Sequence, residues 1–298
     1  MRHFEVKKFS DQTEGDAIAL INRSIAGWPY SRPIDRELTA YWRTLTPRFQ
    51  PEHMLIAYAD GKPVAFAHGE REDKRHNIRF LAIAPGALDS AIRLLEVAEK
   101  KARTDGCEFM RGPCFQSWRF YAGYVIGLEC YHPHWYVDGS NAFLRSGYEV
   151  SQGEVMMIAN PRRLAAPEAA PQGYVVGEVP FRSEFSAVTW CLAAFQKGQQ
   201  ASSCGARFYP KLMSPLGGPI GQIGGVGTKP EHRNRGLSTH LVALCCQRLV
   251  KMGAVELLIS TGLDNYPALR SYEKVGFRRM NYVMEWSKSL VAHKPKRQ

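Results

Sequence analysis

The 298-residue chain has no apolar run approaching the roughly 18 residues that would cross a membrane, and its first residues lack the apolar core of a secretory signal. Cysteine is sparse: there are seven, an odd number, with no Cys-x-x-Cys pair and no second Cys/His pair at zinc-finger spacing. These absences argue against a membrane protein, a disulfide framework and a structural metal. We therefore expect a cytoplasmic protein with reduced thiols and no bound metal.

The C-terminal half nevertheless contains a loop suited to an anion. Residues 220–228 read as a glycine-spaced strand, Pro230 stops it, and apolar residues recur at helical spacing from Leu237 until Gly253. The loop Arg233-Asn234-Arg235-Gly236-Leu237-Ser238 leaves the unpaired N–H groups of the first helical turn facing outward, and its two arginines add positive charge. The spacing matches neither a Walker loop, which needs Gly-Lys-Ser/Thr, nor a Rossmann turn, which needs a third glycine.

A second motif follows this helix. Residues 255–260 read as a short apolar strand, and residues 261–265 as a turn. The next helix places Ala268 and Tyr272 four residues apart, and therefore on one face. The full pattern is Asn265-x-x-Ala268-x-x-x-Tyr272-x-x-x-Gly276-Phe277.

In this order the two motifs resemble the GCN5-related N-acetyltransferase (GNAT) superfamily, over about the last quarter of the chain. The resemblance implies acetyl-CoA as cosubstrate, with the backbone of Val226 and Thr228 pairing with its pantetheine arm. Asn265 and Ala268 would complete the cofactor site, and Tyr272 would be the catalytic acid that protonates the departing thiolate. The pyrophosphate would be held by Arg233, Asn234, Arg235, Gly236, Leu237, Ser238 and Thr239.

Two positions depart from the family pattern. Ser238 replaces the second Gly or Ala of the loop and adds a hydroxyl able to cap the helix or touch phosphate. The strand before the loop has no Glu, so a family-style carboxylate base is missing, although an amine of pKa about 10 must lose a proton before it attacks. Gln222 cannot act as this base, and Glu231 and His232 lie on the loop that is suited to an anion. The identity of the base therefore stays open, and a water chain or a residue from the other half are the alternatives.

The length is about twice what one such domain needs, so we expect two. The fold class is α/β, with an α+β mixed sheet flanked by helices, as two GNAT-like domains in tandem. We predict a degenerate GNAT-like domain over residues 1–160, a proline-rich linker over 161–173 and an acetyl-CoA-binding domain over 174–290. Residues 291–298 form a basic tail.

The N-terminal half repeats the layout without the anion loop. Pro85-Gly86-Ala87-Leu88-Asp89-Ser90 enters its helix with no arginine, and Asp89 places negative charge where a pyrophosphate would sit. Phe143 takes the position of Tyr272, so the acid is also lost. We expect this half to shape the acceptor site or the fold rather than to bind CoA in the usual way. Its strands are predicted over 54–59, 63–69, 78–84 and 107–111, and its helix over 90–103.

Two further segments carry predictions. Residues 183–197 are predicted as a helix, which leaves the second domain short and its usual hairpin reduced or missing. The N-terminal half would then complete the fold or wall the acceptor pocket. Residues 112–136 are rich in aromatic residues and His, which suits a packing loop or an acceptor pocket. Cys130, His132 and His134 within it are weak metal candidates.

Charge is unevenly distributed. The net charge is +11, and residues 161–298 hold 19 Lys and Arg against 8 Asp and Glu, whereas residues 1–160 hold 20 of each. A basic C-terminal half suits the phosphates of CoA, and equally RNA, a ribosome or an acidic protein.

The function that these features favour is transfer of acetyl from acetyl-CoA to a small-molecule or peptide amine, by a monomer or homodimer with no membrane partner. Nucleic acid is not the expected partner. Three alternatives stay open: a same-fold transferase using a larger acyl or aminoacyl donor, a non-catalytic CoA-binding sensor or assembly module, and a nucleic-acid or ribosome binder.

Overall fold

The computed structural model describes residues 3–113, 118–125, 132–133 and 136–291, so residues 292–298 of the predicted basic tail lie outside the described residues. Its N-terminal half runs β1 (Phe4–Lys8), α1 (Glu14–Ile25), α2 (Arg36–Thr44), β2 (Met54–Ala59), β3 (Lys62–Glu72), β4 (Arg75–Ile83), α3 (Leu88–Thr104), β5 (Phe109–Gly112), α4 (Trp118–Tyr121), β6 (His132–Pro133), α5 (Val137–Arg145) and β7 (Glu149–Ala159). The C-terminal half runs β8 (Val175–Val179), β9 (Val188–Gln196), β10 (Gln199–Met213), β11 (Pro219–Thr228), α6 (Leu237–Lys251), β12 (Glu256–Gly262), α7 (Tyr266–Val275) and β13 (Arg278–Ser289).

These strands form one mixed sheet, in the order β1-β2-β3-β4-β5-β13-β7-β12-β11-β10-β9-β8, with β6 attached to β13. Two neighbouring pairs are parallel, β4 with β5 and β11 with β12, and the other pairs are antiparallel. Each half therefore contributes four successive antiparallel strands and then one parallel strand. The mixed α/β sheet flanked by helices that the sequence predicted is confirmed, as are the strands and the helix predicted for the N-terminal half.

The two halves exchange their last strands. β7, which ends the N-terminal half, pairs with β12 of the C-terminal half, from Leu257 opposite Ala159 to Gly262 opposite Glu154. β13, which ends the C-terminal half, pairs with β5 of the N-terminal half. The exchanged strands also pair with each other at the centre of the sheet. The exchanged strands β7 and β13 therefore find their backbone hydrogen-bond partners in strands of the other half. Each half depends on the other to complete its sheet.

Side-chain alternation along the strands builds a core on each face of the sheet. In β2, Leu55 and Ala57 pack in a cluster with α3, whereas Met54 and Ile56 pack in a cluster with α1 and α2. In the C-terminal half, α6 and α7 cover one face through a cluster that includes Leu241, Leu249 and Ile259. Burying each large apolar side chain contributes about 1.5–3 kcal/mol, so these clusters dominate the stability.

The helix predicted over residues 183–197 is wrong. Residues 188–196 form β9 instead, and β9 and β10 make the long hairpin that the sequence analysis expected to be reduced or missing. The run Val188-Thr189-Trp190-Cys191-Leu192-Ala193-Ala194-Phe195 is apolar without a clear period, so periodicity alone does not separate helix from strand. Lys197 and Gly198 both have positive φ, 49° and 76°, which is the type I′ turn that matches the twist of a hairpin.

The C-terminal half lacks helices between its first and second strands. Residues 180–187 connect β8 to β9 without a helix, where the N-terminal half has α1 and α2. Phe185 of this connection stacks on Tyr41 of α2, with ring centroids 4.2 Å apart, and the ring centroid of Tyr124 lies 6.2 Å from that of Phe185. The N-terminal half thus supplies the packing partners of this shortened connection. No helix among the residues that the structure describes is long and apolar enough to cross a membrane.

Candidate active site

A gap in the middle of the C-terminal half opens where β11 and β12 diverge. Their parallel pairing runs from Ile220 opposite Glu256 to Ile223 opposite Ile259 and stops there, although β11 continues to Thr228. On the other side of β11, Gly224 pairs with Gly205 and Gly227 with Ser203, so two residues of β11 face one residue of β10. This bulge includes Gly225, whose φ of 66° is unfavourable for other residues.

The loop after β11 turns into α6 through two left-handed residues. Asn234 has φ 59°, and Gly236, immediately before the helix, has φ 76°. Arg233 donates from Nε to the backbone oxygen of Thr228 at 3.3 Å, and Arg235 donates to the backbone oxygen of Glu231 at 3.4 Å. The first turn of α6 holds no acidic residue, so its N–H groups face the gap with no competing carboxylate of their own helix.

A cavity of about 1030 Å³ connects this loop to the gap. Of the residues that the sequence analysis assigned to the site, all but Thr239 line it. They are Val226, Thr228, Arg233, Asn234, Arg235, Gly236, Leu237, Ser238, Asn265, Ala268 and Tyr272. The fold therefore brings together two motifs separated by a complete helix and strand, and their binding roles stay predictions.

Thr239 instead joins the two helices of the site. Its Oγ1 lies 2.7 Å from Oγ of Ser271 on α7, and Oγ of Ser238 lies 3.1 Å from the same atom. Asn265 caps α7 by accepting from the N–H of Ala268 at 3.4 Å and donates to Oγ1 of Thr261 at 2.9 Å. The hydroxyl contacts hold the start of α6 against α7, which carries Tyr272, and the Asn265 contacts join the start of α7 to the end of β12.

Tyr272 lies in the cluster between the sheet and α7 and is 4% exposed. Burial raises the pKa of its phenol above the ordinary value, with further contributions from Cys204 and Glu154. The phenol therefore stays protonated at neutral pH and can donate a proton into the gap.

Glu154 enters this site from the N-terminal half, because β7 is exchanged into the C-terminal sheet. Its Oε2 accepts from Oγ of Ser260 at 2.6 Å, and both residues line the cavity. Among the described residues that line the cavity, Glu154 is the one carboxylate. The C-terminal motifs carry no signal for it, and only the strand pairing identifies it.

The cavity is strongly polarised. Arg233 and Arg235 of the loop, with Arg270 and Lys274 of α7, line one part, and Glu154 lies by the gap. His232 also lines the cavity, but its Nδ1 lies 2.9 Å from the hydroxyl of Tyr174, on the side of the anion loop. The cationic part suits phosphates, and the carboxylate part suits a cation.

The corresponding part of the N-terminal half has different contacts. Asp89 at the start of α3 forms an ion pair with Arg145 at 3.4 Å, and Phe143 packs between Tyr148 and Trp286. Its buried aromatic residues pack as a core, with His68 Nδ1 2.7 Å from the hydroxyl of Tyr121.

The aromatic segment over 112–136 is only partly described. Residues 114–117, 126–131 and 134–135 lie outside the described residues, and these include Cys130 and His134 of the weak metal candidate. No group of three potential metal ligands occurs among the residues that the structure does describe.

Comparison with known proteins gives the class of this fold. Residues 164–277 match the acetyltransferase (GNAT) family. The whole chain has the tandem GNAT fold. It aligns over 97% of its length, and over 99% of the other chain, with a "tandem GNAT protein from the clavulanic acid biosynthesis pathway (without AcCoA)", at TM-score 0.71 and 13% identity. A GCN5-related N-acetyltransferase from Sphaerobacter thermophilus aligns over 97% of this chain and 96% of its own, at TM-score 0.67 and 14% identity.

Curated relatives match over shorter segments. The mycothiol acetyltransferase of Corynebacterium aurimucosum is 35% identical over 70 residues, which cover 24% of this chain and 23% of the relative. The mycothiol acetyltransferase of Cellulomonas flavigena is 31% identical over 91 residues, which cover 30% of this chain and 26% of the relative. The chain thus matches about a quarter of the length of each of these two proteins.

Proposed function

We propose that this protein transfers an acetyl group from acetyl-CoA to an amine, with the reaction centred in the gap between β11 and β12. The observation that carries the proposal is a single cavity that runs from a cationic helix start to a buried, protonated tyrosine. An anionic tail and a thioester at its end would fill the two parts of this cavity. The family match and the acetyltransferase relatives support the same chemistry.

The residues present fit acetyl-CoA as a substrate. The N–H groups at the start of α6, with Arg233 and Arg235, would bind the pyrophosphate. The unpaired edge of β11 at Val226 and Thr228 would pair with the pantetheine amides, because β12 no longer occupies that edge after Ile223. Arg270 and Lys274 of α7 would meet the remaining phosphate of CoA.

Chemistry in this site would rest on positioning and on one proton donor. An aligned amine and thioester gain up to about 7–11 kcal/mol from proximity alone. The amine nitrogen would form a bond to the thioester carbonyl carbon and lose a proton, the carbon–sulfur bond would break, and Tyr272 would give its phenolic proton to the leaving thiolate and regain a proton from solvent. The acceptor that we propose is a small-molecule or peptide amine.

Calorimetric titration with acetyl-CoA tests the binding half of this proposal. The wild type should bind one equivalent, and an Arg233→Glu/Gly236→Glu double variant should bind none, because two negative charges would meet the pyrophosphate. Lys211→Glu is the matched control, since this exposed residue of β10 does not line the cavity and its charge reversal should leave binding unchanged. Two equivalents in the wild type would assign a second site to the N-terminal half, against the proposal.

A release assay for the CoA thiol tests the catalytic half. Wild-type protein should release thiol from acetyl-CoA in the presence of at least one class in a panel of polyamines, amino sugars, amino acid esters and peptides. Longer acyl-CoA donors in the same assay would show whether the donor is acetyl or a larger group. Binding of acetyl-CoA without release by any acceptor would contradict acetyl transfer and favour a CoA-binding sensor.

A further inference from the structure

We infer that Glu154, delivered by the exchanged strand β7, is the catalytic base that takes the proton from the acceptor amine in the C-terminal site. This inference rests on the proposed function and extends it to a residue of the other half. It assigns the role of base, for which β11 offers Gln222 and no carboxylate.

Geometry places Glu154 at the reaction gap. It pairs with Gly262 on β12 and with Val283 on β13, and its carboxylate accepts from Ser260, the residue that follows the last β11–β12 pair at Ile259. The carboxylate is therefore held at the point where the two strands separate. Ser260 acts as a positioning residue, because its hydroxyl donates to the carboxylate and fixes its direction.

The acid and the base reach the gap from opposite faces of the sheet. Tyr272 belongs to the cluster under α6 and α7. Glu154 alternates with Met156 and Ile158, which lie in the cluster with Tyr30 on the other face. Within the described part of the chain, α6 and α7 both lie on the first face, so the acceptor would approach from the second while the thiolate leaves beside Tyr272.

The charges around Glu154 favour a role with a cation. Ser260 from β12 and Val283 from β13 flank it without charge. The carboxylate of Glu285, two residues further along β13, accepts hydrogen bonds from Arg111 at 3.4 Å, Ser151 at 3.1 Å and Gln152 at 3.1 Å. The cavity's cations lie on the anion loop and on α7. A protonated amine would therefore be drawn to the Glu154 end and CoA phosphates to the other end.

The proposed reaction moves protons at two residues of the site, Glu154 and Tyr272. The acceptor amine enters protonated and loses that proton to solvent, and the neutral amine then adds to the thioester carbonyl, which leaves a positive, acidic nitrogen. Glu154 accepts one proton from that nitrogen, the carbon–sulfur bond breaks, and Tyr272 protonates the sulfur. The products are the amide and CoA thiol, and the proton on Glu154 returns to the Tyr272 phenolate through solvent.

Glu154→Gln tests the inference, using acetyl-CoA with propylamine as a probe amine so that no natural acceptor is needed. We expect kcat to fall about 100- to 1,000-fold, with acetyl-CoA affinity by calorimetry changed less than about twofold. The acid limb of the wild-type pH profile should disappear in the variant. Glu154→Asp should restore part of the rate, and Ser260→Ala should lower it less than Glu154→Gln does.

Glu149→Gln is the matched control, because Glu149 is an exposed carboxylate on the same strand outside the cavity. It should behave as wild type. The inference is overturned if Glu154→Gln keeps the wild-type kcat and pH profile, or if it loses rate only in proportion to lost thermal stability and acetyl-CoA binding. A wild type that binds acetyl-CoA but releases no thiol would instead overturn the proposed function and the inference with it.

Discussion

Trp286→Ala should destabilise both halves of the protein together, although Trp286 lies near the end of the C-terminal half. Trp286 is on β13, pairs with Gly112 of β5 and belongs to the cluster of the N-terminal half that includes Leu94, Leu95 and Phe143. Its ring is 6.3 Å from that of Phe143, at an interplanar angle of 12°. Truncating a buried tryptophan to alanine costs about 3–5 kcal/mol, and 7% exposure places Trp286 in that range.

The assay is urea unfolding followed by hydrogen exchange and mass spectrometry, with peptides from α3 reporting on the N-terminal half and peptides from α6 on the C-terminal half. Because β7 and β13 are exchanged, we expect both sets of peptides to lose protection in one transition and to shift to lower urea by the same amount. Tyr282→Ala on the same strand is the control, since Tyr282 is 47% exposed and should change stability by less than about 1 kcal/mol. A shift confined to the peptides of one half would refute the coupling.

Two further predictions concern single side chains. Tyr272→Phe should lower kcat for CoA thiol release about 100-fold while acetyl-CoA binding and thermal stability stay near wild type, because the phenyl ring keeps its packing and only the acid is lost; unchanged kcat would exclude Tyr272 as the acid. His76 is fully buried, and burial, with His53 nearby, lowers its pKa to about 3. Since the unfolded chain binds the proton at about pH 6.5, the contribution of buried, neutral His76 to stability is complete above pH 6.5. It is lost as the pH falls toward 3. His76→Phe should therefore reduce the slope of unfolding free energy against pH by up to about 1.4 kcal/mol per unit, and an unchanged slope in urea titrations would contradict this.

Much of the fold was predictable because local patterns agreed with it. The β2–β3 turn at Asp60-Gly61, the proline after β11 and the glycine after α6 punctuate periodic apolar segments, and these elements formed where predicted. The helix prediction over 183–197 failed because its apolar residues from Val188 to Phe195 follow no clear period. Lys197 has a positive φ in the turn of the hairpin that forms there instead, and a lysine gives no sequence signal for that conformation.

The positions of the loop before α6 and of Tyr272 were predictable for a different reason: each belongs to a short motif whose geometry is local to one turn or one helix. The sequence by itself determined the strand over 220–228, the helix start at Leu237 and the placement of Ala268 and Tyr272 on one face of α7. Tertiary structure alone decided that β7 and β13 trade places and that Glu154, more than a hundred residues away from Tyr272 in the chain, lines the same cavity. Strand order depends on backbone pairing between segments that are distant in the sequence. Backbone pairing leaves no sequence pattern that identifies the partner strand.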